Sequence, residues 1–107
     1  MERINKLKSF LDNSPNDPFL QYALALEYLK IADFEQALHI FEQLIEQSPG
    51  YVGTYYHLGK LQEQLGQHPK AVITYQKGIE IATLQNDRHS ANELRGAYNL
   101  LCDELEE

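Results

Sequence analysis

Apolar residues along this chain recur three and four positions apart and nowhere alternate with polar ones over the length of a strand, so the pattern predicts helices throughout. Ile4, Leu7, Phe10 and Leu11 form a first stripe, ended by Asn13-Ser14-Pro15. A second helix opens cleanly, because the Asp17 carboxylate can accept from free backbone N–H groups and Pro18, which has no N–H, suits the first helical position. It is expected to run to about Ile31. Asp33-Phe34-Glu35-Gln36 has the capping-box arrangement for a third helix through about Gln47, stopped by Pro49-Gly50. So short a connection predicts an antiparallel helical hairpin. Val52 to Leu65 reads as a fourth helix, Gly66 as a left-handed stop, and Pro69 as the opening of a fifth that reaches about Leu84. Gln85-Asn86-Asp87 reads as a turn, and Ser90-Ala91-Asn92-Glu93 as a capping box ahead of the stripe Leu94, Tyr98, Leu101, Leu105.

The pattern repeats. Sliding the sequence by 34 residues superposes Leu24 on Leu58, Ala25 on Gly59, Ala37 on Ala71, Phe41 on Tyr75, Ile45 on Ile79 and Pro15 on Pro49. On these residues the chain resembles the tetratricopeptide repeat family, whose unit of that length is a helix pair with a Trp-x-x-Leu-Gly-x-x-Tyr, Ala-x-x-x-Phe, Pro signature. Leu24, Ala25, Tyr28, Ala37, Phe41 and Pro49 fill the Leu, Gly, Tyr, Ala, Phe and Pro slots of one unit, and Tyr55, Leu58, Gly59, Ala71 and Tyr75 match the next. The resemblance implies an all-α, right-handed superhelix of antiparallel helix pairs, with about six helices in a single domain over residues 1–107. Within it, residues 1–16 would be the leading helix of a truncated repeat, 18–51 and 52–85 two repeats, and 88–106 a C-terminal capping helix. Small residues let the helices of a pair approach, Ala25 facing Ala37 and Gly59 facing Ala71, while Tyr28, Phe41, Leu58 and Tyr75 fill the space between pairs. The departures are Gln21 in the Trp slot, Gln62 in the Tyr slot, Leu44 where Ala is common and Thr83 in place of the closing Pro, which would let the fifth helix run on. Arg95 in a Gly slot marks the last helix as unpaired, with a charged outer side, and the acids Asp103, Glu104, Glu106 and Glu107 oppose its dipole and should fray its end.

Composition narrows the function. The net charge is −7 and the acidic excess runs through both halves, so there is no basic region to grip nucleic acid. Cys102 is the only cysteine and cannot form an internal disulfide, and the N-terminal residues lack the apolar stretch of a secretory signal, which points to a cytoplasmic protein. No apolar run approaches the roughly 18 residues that span a bilayer. His39, His57, His68 and His89 never fall two to a helical turn, so no metal site is expected, and no cofactor-binding or nucleophile motif occurs. Cys102 reads as a small hydrophobe. The expectation is a non-enzymatic protein without a cofactor.

Seven tyrosines and four phenylalanines exceed what the core slots of two units require, so some belong to the surface. In the resembled family the first helices of the pairs line the concave face, where ligands lie. That face would display Phe19, Tyr22, Leu26, Leu29 and Lys30 from one unit, Tyr56, Lys60, Glu63 and Gln64 from the next, and Asn92 and Asn99 from the closing helix. Tyr22 and Tyr56 are the expected anchors for a peptide, since amphipathic rings bury much area at small entropic cost. Phe19, Leu26 and Leu29 have a second assignment, to the core against the leading helix. Some family members clamp a carboxylate tail with Lys and Asn, but Tyr22 and Leu26 hold two of those positions here, so that activity does not carry over. The expected function is a scaffold that binds a peptide or helix of a partner protein with an apolar, somewhat basic contact region. The alternative is a structural homodimer formed through the apolar face.

Overall fold

The computed structural model describes residues 2–106, and every element in them is an α-helix. In order these are α1 (Glu2–Asn13), α2 (Pro18–Lys30), α3 (Phe34–Gln47), α4 (Gly53–Gln64), α5 (His68–Leu84) and α6 (Arg88–Glu106). The chain separates into two compact units that meet between Tyr51 and Val52 in sequence.

In the first unit α2 packs on both α1 and α3. Ile4 and Leu7 of α1, Leu24, Ala25 and Tyr28 of α2, and Ala37, Phe41 and Leu44 of α3 are buried, with Ala25, Ala37, Phe41 and Leu44 at 0% exposure. Burying Phe41 or Leu44 contributes about 2–3 kcal/mol each. Leu44 is thus accommodated in full, although a smaller residue was expected there. Helix α1 stops at Asn13, at the expected Asn13-Ser14-Pro15 break, because the Ser14-Pro15 step turns the chain and the Asp17 N–H donates to the Ser14 carbonyl at 3.2 Å. Asp17 then caps α2 as expected, its Oδ1 accepting from the N–H groups of Phe19 and Leu20 at 3.0 and 3.4 Å. Gln21, in the Trp slot, uses its amide to donate to the Pro15 carbonyl at 2.8 Å, which ties this turn to α2.

In the second unit α5 packs between α4 and α6. The nearest atoms to a Cβ added at Gly59 all belong to the Tyr75 ring, so Tyr75 is the neighbour that requires glycine there. Gly78 of α5 plays the same part for two helices at once: a Cβ added there would lie 2.6 Å from Tyr55 of α4 and 3.0 Å from Leu94 of α6. Helix α5 continues to Leu84, three residues longer than α3, as the absence of a closing Pro predicted. Helix α6 extends from Arg88 to Glu106. Its cap differs from the expectation: Asp87 Oδ1 accepts from the Ser90 N–H at 3.0 Å, and Ser90 Oγ donates to Asp87 Oδ2 at 2.8 Å, so Ser90 supports the cap and is not the cap itself.

The corners of the hairpins share one construction. After α2, α4 and α5 a single residue takes a left-handed conformation: Ala32 (φ 59°), Gly66 (φ 76°) and Asn86 (φ 58°). The next residue, Asp33, Gln67 or Asp87, donates its N–H to the carbonyl five positions back, at 2.9, 2.7 and 2.9 Å. That same residue is the N-cap of the following helix. One residue therefore closes one helix and opens the next.

Candidate functional site

The expected binding residues fall into groups that the two units hold separately. In the first unit, Tyr22 is half-buried and its ring centroid lies 5.4 Å from that of Tyr51, tilted by 55°. Offset aromatic pairs of this kind add to simple area burial. Tyr51, which the sequence did not single out, comes from the Pro49-Gly50 turn, and its hydroxyl is held above the ordinary tyrosine range by burial first and by the charge of Asp17 second. Phe19 is 61% exposed, so it is a surface residue rather than part of the core. Leu26 and Leu29 are half-buried and lie between the two assignments open to them.

Lys30 is not a free cation. Its Nζ meets Glu27 Oε2 at 2.9 Å, and Arg3 Nε of α1 meets the same oxygen at 3.2 Å. The Glu27 carboxyl is held below its ordinary value chiefly by the Lys30 hydrogen bond, with burial opposing and the charges of Lys30 and Arg3 assisting. The i,i+3 spacing of Glu27 and Lys30 signals that half of the arrangement in the sequence. Nothing in the sequence signals Arg3.

In the second unit, Tyr56, Lys60, Glu63 and Gln64 share a face of α4 by helical spacing. Lys60 Nζ sits 5.9 Å from the Tyr56 ring centroid, a cation over an aromatic face, and Tyr56 also meets His57 edge-on at 5.6 Å. Glu63 is engaged from α5, its carboxylate accepting from the Tyr75 hydroxyl. Burial first, and that hydrogen bond second, push the Tyr75 hydroxyl far above the ordinary tyrosine range. Lys60 and Gln64 are exposed. Asn92 keeps different company: with Arg88 and Arg95 of α6, Thr83 of α5, and Asn86 and Asp87 of the turn between them, it lines a shallow depression of about 330 Å³.

Among the described residues no three His, Cys, Asp or Glu side chains come close enough to hold a metal ion, and no helix is long and apolar enough to cross a membrane. Cys102 is half-buried on α6.

Residues 28–91 match the tetratricopeptide repeat pattern. The chain belongs to the tetratricopeptide repeat family. It is 47% identical to a tetratricopeptide repeat domain protein from Salinibacter ruber whose solution structure superposes with a TM-score of 0.78, over 81% of this chain and 88% of that one. A TPR repeat-containing protein of Pseudomonas aeruginosa is 25% identical over 91 residues, covering 85% of this chain and 87% of the relative. The TPR2B-domain:pHsp70 complex of yeast Sti1 shares the fold, with a TM-score of 0.86 at 19% identity over 94% of this chain and 81% of that one. Tetratricopeptide repeat domains are protein-interaction modules, and the six helices described above are of that all-α type.

Proposed function

We propose that this chain is a non-catalytic scaffold that takes a peptide or helix of a partner protein on the outward faces of α2 and α4. The observation that carries the reading is the treatment of Tyr22 and Tyr56. Each is held half-buried by a neighbour, Tyr51 or His57 and Lys60, so each presents a preorganised ring to an incoming side chain. Rings fixed in this way lose little entropy on binding, which is the usual property of an interface anchor. Phe19, Leu26 and Lys30 extend the surface on α2, and Lys60 and Gln64 extend it on α4. Asn92 and Asn99 are left to a separate face of α6.

The yeast relative is bound to pHsp70. A carboxylate tail is not the ligand proposed for this chain, because Tyr22 and Leu26 stand where such a clamp would place Lys and Asn, and Lys30 already serves Glu27. With a net charge of −7 the chain attracts apolar segments flanked by basic residues. Fluorescence titration with apolar-basic and acidic-tail peptide sets tests the proposal. The double variant Tyr22→Ala, Tyr56→Ala should weaken the apolar-basic ligands by at least about tenfold. Unchanged affinity, or preference for the acidic tails, would remove these faces as the site.

A further inference from the structure

The outward face of α6 carries side chains that nothing else in the chain uses. Arg88, Asn92, Arg95, Gly96, Asn99 and Asp103 are all exposed and share the side of the helix opposite its buried stripe Leu94, Ala97, Leu101. Among the described residues the side chains of Arg88, Asn92, Arg95, Asn99 and Asp103 form no hydrogen bond or ion pair. Five of the other cations are engaged, Arg3 and Lys30 by Glu27, Lys77 by Glu80, Lys8 over Tyr28 and Lys60 over Tyr56, whereas among the described residues Lys6 and Lys70 are not.

The charges along this stripe are also segregated against the helix's own field, although Glu93, on another side of α6, is not. Arg88 and Arg95 lie in the half with the positive N-terminal end, and Asp103 and Glu106 lie at the negative C-terminal end, so both placements are unfavourable for an isolated helix. Arg95 and Asp103 are eight residues apart, about 12 Å along the axis, too far to neutralise each other.

The stripe is symmetric about the bond between Arg95 and Gly96. Position 88 pairs with 103, 92 with 99, and 95 with 96. We propose that this face pairs with the same face of a second copy of this chain, with the two α6 helices antiparallel. Across a two-fold axis Arg88 then meets the copy's Asp103, and Asn92 meets the copy's Asn99, amide to amide. Arg95 lies over the copy's Gly96, where the exposed backbone leaves room, since nothing comes within 4 Å of a Cβ placed there. Antiparallel alignment sets the two helix dipoles in their favourable order. Each Arg88 then faces the copy's Asp103, while the two Arg95 side chains come together beside the axis.

Sedimentation equilibrium tests this. The full chain should be a dimer at low ionic strength and should dissociate at about 0.5 M salt, where screening shortens the reach of charges. Arg88→Glu should weaken dimerisation by about tenfold, since it turns two attractive pairs repulsive. Lys6→Glu, the same change of net charge placed on α1, should leave it near the parent value. The variant Asp103→Arg, Glu106→Arg should also dimerise more weakly alone, and mixed with Arg88→Glu it should restore a heterodimer, because both symmetry-related pairs become attractive again. A parent chain that stays monomeric at about 1 mM overturns the proposal. So does a dimer that Arg88→Glu leaves intact or that salt strengthens, the behaviour of an apolar interface, and so does a mixture that fails to form the heterodimer.

Discussion

Gln62 stands where a repeat of this family carries tyrosine, and its burial is made acceptable by one contact: Thr74 Oγ1 of α5 donates to its Oε1 at 2.7 Å. Thr54 Oγ1, fully buried in the first turn of α4, has no such partner. His57 is the residue of this helix with a consequence in solution. Burial holds its pKa below the ordinary 6.5, against a smaller opposing influence from the charge of Glu93. The folded chain therefore takes up this proton less readily than the unfolded one. Stability is full above about pH 6.5 and falls as the pH drops below it, levelling only beneath the depressed folded value. Urea midpoints measured between about pH 7.5 and pH 5 should show this decline, and His57→Gln should flatten it. At this scale the sequence was only partly legible. Tyr22, Tyr56 and Lys60 were named as surface candidates from the family resemblance, whereas Tyr51, Arg3 and the Tyr75 ring over Gly59 depend on which helix passes by, and no local pattern carries that information.

Helix ends were more legible, because caps are local chemistry. Asp17-Pro18, Asp33 with Gln36, and Gly66 all act as their residue types predict. Ala32 was not readable as a left-handed residue, since alanine carries no mark of that conformation and adopts it here because α2 and α3 must both fit around it. Asp87 was passed over as a cap because Ser90 with Glu93 offered the more recognisable pattern. The corner geometry makes a paired prediction. Ala32→Gly should raise stability by about 0.5–1 kcal/mol, because relief of the left-handed strain exceeds the extra freedom given to the unfolded chain, and Gly66→Ala should lower it by about 1 kcal/mol. Denaturant midpoints at unchanged slope would measure both.

At the scale of the whole molecule, each unit is close to the size at which burial alone barely holds a fold. The reading of residues 1–107 as one domain therefore predicts a single cooperative transition. Ala37→Leu overpacks a fully buried position in the first unit and should cost about 1–3 kcal/mol. Amide exchange should then report the same loss in α5 as in α2, and a loss confined to the first unit would mean that the two halves unfold independently. The shared corner residues also set a rule for length. Because Asp33, Gln67 and Asp87 each belong to two helices, there is no spare link in which to absorb an insertion or deletion. One residue added or lost at such a corner would rotate the helix beyond it by about 100°, carrying Phe41, Tyr75 or Leu101 from the interior toward water. Divergence in a chain built this way has to proceed by substitution at the corners, or in steps of whole turns.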